Sequence, residues 1–361
     1  MVSIFGCEKR IDEQVPKKRI VMVHPNTSTF ARFTKLIHNS IIDIPAIQFD
    51  CVVYKDAKYD FNQLKEFIEE NNFQNFTIEE IQGDLNSENL FRENECSSQF
   101  YNLFKNSEGV IFLGGDDISP SIYNQKTDLL SRITDIGRHN FELSFLFHLL
   151  GGKQNDTFKP FLEEKPDYLV YGFCLGMQTM NVATGGTMYQ DIPHDIYQQQ
   201  FVEDVINFGY ENMHKNYWYN LFPDSDIIGA NFHHIQFLPE ASLLREMGIN
   251  ENIEPQVCSS HHQAVKDLGK GLEVVATSLD GKVVEIIAHE KFKNVLGVQF
   301  HPEVWSLYDP DGAKYKQAPD DSISFNYYEK IEKDESLGFH KKFWQRFSNI
   351  IKRDYIQSKN E

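Results

Sequence analysis

Long apolar runs, a basic surplus, clustered cysteines and phosphate-binding glycine loops are all missing from this 361-residue chain. No apolar stretch approaches the roughly 20 residues of a bilayer-crossing helix, so no membrane partner is expected. Lys and Arg number 35 against 53 Asp and Glu, a formal net charge of -18. Such a surface repels phosphate backbones and anionic lipid, which argues against nucleic acid and membrane surfaces. The five cysteines, Cys7, Cys51, Cys96, Cys174 and Cys258, are odd in number and form no close pair, so neither a disulfide framework nor a zinc knuckle is legible. A reducing, cytoplasmic setting is the expectation. The opening MVSIFGCEKR has about three apolar residues before Cys7, too few for a secretory signal core of roughly 7–15. No GxxxxGK[ST] or GxGxxG follows a strand, and no HExxH or CxxC occurs, so no cofactor and no metal are expected. The pairs His233-His234 and His261-His262 do not alter this, because adjacent residues on a strand point to opposite faces. No internal repeat or low-complexity tract is present.

What is there begins with YGFCLGMQTMN, residues 171–181. An apolar strand over 166–171 runs into a helix bounded by Gly185-Gly186, and Cys174 stands at the corner between them. Gly172 and Gly176 flank it, as a side chain exposed at a strand-to-helix turn requires, since a Cβ at either position would crowd the adjoining elements. The Leu175 amide then lies at a helix N-terminus, which favours a thiolate and a developing oxyanion.

A second strand, 295–300, ends in His301-Pro302-Glu303. Pro302 bars helix at His301, and residues two apart on an extended chain face the same way. Glu303 can therefore orient His301 while the far ring nitrogen reaches a thiol, giving the order nucleophile, base, orienter.

With these residues in view, the chain resembles the class I glutamine amidotransferases through GFCLGMQ and QFHPE. Within that superfamily it is similar to the gamma-glutamyl hydrolase-like branch. Further matches are FLGGDDISPSIY, MNVATGGTMYQDIP, HHIQFLPEASLLREMG and the SSHHQAV segment, together spanning about residues 19–303. The resemblance implies Cys174 as nucleophile, His301 as base and Glu303 as its partner. It implies an oxyanion hole from the amides of Gly115 and Leu175, and substrate contacts at Gly114, Gln178 and His261. The implied substrate is a small γ-glutamyl amide, cleaved through a γ-glutamyl thioester. The alternative is a glutaminase subunit that passes ammonia to a separate synthetase. Leu175 replaces an arginine found in many relatives of the γ-glutamyl-polyamine type, which leaves the leaving group open.

The expected fold is α/β, a flavodoxin-like, doubly wound and mostly parallel sheet with helices on both faces. Residues 1–18 read as an N-terminal arm and 19–361 as a single domain. Strands are expected over 19–24, 47–54 and 110–113, with a hairpin over 272–277 and 283–289. Helices are expected over 29–40, 61–72, 136–150 and 339–353. Two aromatic-bearing stretches, 195–230 and 304–336, exceed what the fold needs and read as insertions. They would either border the pocket, with Tyr217, Trp218 and Trp305 as wall residues, or serve as decoration or homodimer contacts.

Overall fold

The computed structural model describes residues 17–58, 61–73, 75–222, 226–239 and 242–357. The expected arm, with Cys7, lies almost wholly outside them. Among the described residues twelve strands occur in chain order: β1 Lys18–Val23, β2 Ile47–Tyr54, β3 Phe76–Ile81, β4 Gly109–Phe112, β5 Leu169–Phe173, β6 Met188–Tyr189, β7 Asn231–Phe237, β8 Gln256–Ser259, β9 Ala264–Val265, β10 Leu272–Ser278, β11 Val284–His289 and β12 Val295–Val298. Ten form one sheet in the order β3-β2-β1-β4-β5-β12-β11-β10-β7-β8, and β6 pairs with β9 separately. From β3 to β12 every pairing is parallel; beyond β12 every pairing is antiparallel. Without the edge strand β3 the parallel part runs β2-β1-β4-β5-β12, the flavodoxin-like order, whose switch point falls between β1 and β4.

Alternation along the strands divides the core between two faces. Ile20, Met22, Ile111, Tyr171, Phe173 and Val298 pack on one side with the helices Thr27–His38 and Ser336–Gln357. Val21, Val23, Val110, Phe112, Val170 and Val295 pack on the other with Ser97–Lys105, Ile136–Leu150 and Leu175–Ala183. Neighbouring residues thus serve opposite layers, and the sheet is covered on both faces. No described helix is long and apolar enough to cross a membrane.

The helix expected over 136–150 and the strand over 47–54 fall on Ile136–Leu150 and Ile47–Tyr54. The strand expected over 166–171 instead occupies Leu169–Phe173. Proline at 166 cannot donate to a ladder, whereas the Cys174 amide still donates to Val298 at 2.8 Å and carries the pairing to the corner. β3 and the helix Ser97–Lys105 had no sequence-based expectation. The half-exposed FTIEEI of an edge strand shows little apolar patterning to read.

Candidate active site

Three loops leave the carboxyl ends of the adjacent parallel strands β4, β5 and β12, and each brings a functional segment to the same end of the sheet. At the end of β5, Cys174 has φ 51° and ψ -106°, a left-handed conformation that a β-carbon disfavours. The helix Leu175–Ala183 starts immediately after it, so the expected elbow is realised. The flanking glycines are needed for space. A Cβ on Gly172 would lie 2.6 Å from the Gly176 carbonyl, and one on Gly176 would collide with the Phe112 carbonyl oxygen. Cys174 is 5% exposed, and the residual opening faces the cleft described below.

After β12, the His301 amide donates to the Cys258 carbonyl at 2.8 Å, and its Nδ1–H donates to Glu303 Oε1 at 2.8 Å. His301 also lies beside Cys174, both side chains adjoining the Gly114 α-carbon. Burial pushes the imidazolium down, but the Glu303 carboxylate and Cys174 outweigh it and lift His301 to about 10. For Glu303, burial acts upward, yet the His301 charge and hydrogen bond, aided by Arg32 at 3.9 Å, hold it below the usual carboxylate range. Tyr308 Oη and Trp344 Nε1 donate to the Pro302 carbonyl at 2.9 and 3.1 Å, clamping the tripeptide.

After β4 comes the glycine pair. The Gly114 α-carbon faces the triad: a Cβ there would sit 3.2 Å from His301 Cε1 and 3.7 Å from the Cys174 Cβ. At Gly115 a Cβ would meet Arg138 Nη1 at 2.6 Å and Leu175 Cδ2 at 2.8 Å. Gly115 and Leu175 are thus close neighbours, as an oxyanion hole from their two amides requires.

Arg138, which the sequence gave no reason to single out, holds that loop. Its Nη2 donates to the Gly114 carbonyl at 2.9 Å while its Nε donates to Glu142 at 2.7 Å; Glu142 is bonded in turn to His24 Nδ1 at 3.0 Å.

Cys174 opens into a cleft of about 610 Å³ lined by Gly115, Gln178, His261 and charged groups of both signs. Gln178 Nε2 makes only long contacts, 3.4 Å to the Gln263 carbonyl and 3.3 Å to Gln299. His262 lies 3.1 Å from both Asp117 and Asp191. Burial acts downward on it, but the two aspartates raise it to about 9. Asp116, Arg132 and Lys215 add to the charged lining, and burial depresses the Lys215 ammonium.

His261 borders the cleft without turning its Nε2 into it. That atom is buried 3.8 Å from Glu285, while Nδ1 is bonded to the Gln263 carbonyl. The members of each histidine pair do part company: His234 bonds Glu211 at 2.8 Å, whereas His233 turns inward. The two inward members, His233 and His261, nevertheless meet. They share one buried cluster with His214 and Glu285, an arrangement pairwise reasoning did not find. The available sign was Glu285, a lone acid inside the apolar strand VEIIAH.

The two insertions differ in role. Phe201, Val205, Tyr217 and Tyr219 of the first line the cleft, whereas the cleft lining includes neither Trp218 nor any residue of the second. Trp218 stacks near Phe222, and Trp305 Nε1 reaches Asp309, so the wall role expected for these two tryptophans is not theirs. The second insertion braces the first, with Lys316 bridging Ile227 and Gln317 accepting from Asn216. Asn181, in the last turn of the helix Leu175–Ala183, donates to the Thr187 and Asp267 carbonyls and accepts from the Gly269 amide, a structural role.

Comparison with known proteins gives relatives over the same region. The chain is 33% identical over 195 residues to the glutamine amidotransferase-like protein YvdE of Lactococcus lactis subsp. lactis, covering 54% of this chain and 65% of the relative. It is 30% identical to protein NtpR of Enterococcus hirae, covering 54% and 66%. It is 31% identical to the glutamine amidotransferase-like protein RP404 of Rickettsia prowazekii, covering 54% and 70%. The match therefore spans slightly under two thirds of the first two relatives. The model of the Peptidase C26 family matches residues 90–303, a segment that runs from before the glycine loop to Glu303 and includes Cys174 and His301. The chain belongs to the Peptidase C26 family.

Proposed function

We propose that the chain hydrolyses γ-glutamyl amide bonds. The observation that carries this is Cys174, held at φ 51° on the elbow and opening into the cleft, beside a His301 whose Nδ1 Glu303 holds and whose charged form it favours. The thiolate adds to the γ-carbonyl carbon, and the oxyanion is taken by the amides of Gly115 and Leu175. The imidazolium of His301 gives its proton to the leaving amine as the C–N bond breaks, leaving a γ-glutamyl thioester. Water then yields a proton to His301 and attacks the thioester, releasing glutamate and the thiolate.

Charged groups of both signs in the cleft, Arg132 and Lys215 against Asp117 and Asp191, suit the zwitterionic head of a glutamyl group. A volume of about 610 Å³ also leaves room for a leaving group larger than ammonia. The second reading, an ammonia-donating glutaminase subunit, draws on the names of the relatives. A panel of γ-glutamyl peptides, γ-glutamyl amines, polyglutamyl folate and glutamine, assayed for released glutamate with the pure chain, tests the proposal. Turnover of a γ-glutamyl amide well above glutamine is expected. Silence on the whole panel, relieved only by an added synthetase, would replace it with the second reading.

A further inference from the structure

Behind the cleft wall, four side chains from separate stretches converge: His214 in the first insertion, His233 on β7, His261 after β8 and Glu285 on β11. Glu285 Oε1 lies 3.1 Å from His214 Nδ1, 3.7 Å from His233 Nε2 and 3.8 Å from His261 Nε2, with all four side chains at most 2% exposed. Despite these distances, both Glu285 oxygens, both His214 nitrogens and His261 Nε2 are buried without a hydrogen-bond partner. A carboxylate buried without donors is costly, so the cluster calls for a proton or a cation.

The tautomers say what kind of charge. Carbonyl oxygens only accept, so the contacts of His261 Nδ1 with Gln263 at 3.0 Å and His233 Nδ1 with His234 at 3.2 Å place the protons on Nδ1. The Nε2 lone pair of His261 then faces the carboxylate, and that of His233 is shared between it and the Ser259 hydroxyl. Histidine anchored through one nitrogen to a backbone carbonyl, with the other directed inward, is the usual arrangement around a metal. The Ser259 hydroxyl serves His233 Nε2, and a single proton on Glu285 could serve one further acceptor, which leaves either His261 Nε2 or the unprotonated nitrogen of His214 unpaired. Donors held about 2.0–2.1 Å from a tetrahedral ion sit roughly 3.3–3.4 Å apart, within the spread of the three separations here.

We propose that His214, His233, His261 and Glu285 form a closed structural site for a divalent transition metal, with zinc favoured by the three-imidazole, one-carboxylate donor set. Ser259 Oγ, now 2.8 Å from His233 Nε2, turns aside when His233 becomes a ligand. The site ties the first insertion to the sheet. Its effect would reach the triad along the β8 segment, because the Cys258 carbonyl that holds the His301 amide lies three residues before His261. The inference does not rest on the proposed substrate.

The full chain, stripped with chelator and dialysed, is titrated with Zn²⁺ and separately with Co²⁺. One Zn²⁺ per chain, an intense tetrahedral Co²⁺ spectrum and a Tm raised by several degrees are expected. Glu285→Gln, close in shape, should lose at least tenfold in affinity, and His214→Asn should do the same. His194→Asn is the control, since His194 with Asp128 and Asp195 forms an exposed cluster elsewhere; it should leave the stoichiometry unchanged. A folded wild-type chain that takes up neither ion at 0.1 mM-scale concentrations (on the order of the weakest useful sites) would overturn the proposal. So would binding abolished by His194→Asn but retained by Glu285→Gln.

Discussion

Arg138 Nη2 donates to the Gly114 carbonyl at 2.9 Å, so a side chain on the helix Ile136–Leu150 fixes the glycine loop beside Cys174. In the proposed reaction the Gly115 amide of that loop is one of the two oxyanion donors. Arg138 is itself held by Glu142, whose other partner is His24. Arg138→Met should lower kcat by about 10²-fold with KM within a few-fold, because an oxyanion donor acts mainly on the transition state. Arg138→Lys, unable to reach both partners, should recover only part of it. Loss confined to KM would assign Arg138 to substrate binding instead.

Cys174 should be alkylated well before the other cysteines. Cys51 and Cys258 are buried and their thiols are pushed far up by burial, and Cys96 is raised to about 11 for the same reason, so all three remain protonated and shielded at neutral pH. Peptide mapping after sub-stoichiometric iodoacetamide measures this. Labelling of Cys258 ahead of Cys174 would remove the nucleophile assignment.

The His301–Glu303 pair sets a pH window. Because His301 is raised to about 10, its contribution to stability is complete below the unfolded value of about 6.5 and is lost as pH climbs through about 10. Because Glu303 is lowered, its contribution is present above the unfolded value and is lost on acidification through its folded one. The Tm gap between wild type and Glu303→Gln should therefore be widest near pH 5–6.5 (about the interval between the two unfolded values) and close toward both ends. In a Cys174→Ala background, where only burial would then remain, Glu303→Gln should drop the His301 titration seen by NMR below the free-histidine value. An unmoved titration would mean that Glu303 does not hold the proton.

Leaving-group choice should follow the first insertion alone. Tyr217→Ala and Tyr219→Ala should reorder substrates by kcat/KM, since both residues line the cleft. Trp305→Ala should leave the order unchanged. A reordering by Trp305→Ala would show that the second insertion reaches the substrate.

Gly176→Ala should destabilise the fold as well as the site, by about 1–3 kcal/mol, the usual cost of forcing a methyl into packed surroundings. The obstacle is the Phe112 carbonyl, part of β4, and it cannot rotate away. Thermal melts that match wild type would show that the β4–helix spacing relaxes.

Cys174, His301 and Glu303 were legible because each depends on backbone geometry written within a few residues: glycines around an elbow, and a proline that keeps two side chains on one face. The parallel half of the sheet was legible for a similar reason, since apolar strands such as IQFDCVVY and helices such as Ile136–Leu150 carry their period locally. The edge strand β3 was not, because exposure removes the apolar signal. Arg138, the cleft-facing choice between two aromatic insertions, and the meeting of His214, His233, His261 and Glu285 were decided by tertiary structure alone. Their partners lie far away in sequence, and strand order, with β7 and β11 folded back antiparallel beyond β12, determines which buried side chains share a space. Local constraints fix how the backbone turns at a residue; only the packed sheet fixes what that residue's side chain meets.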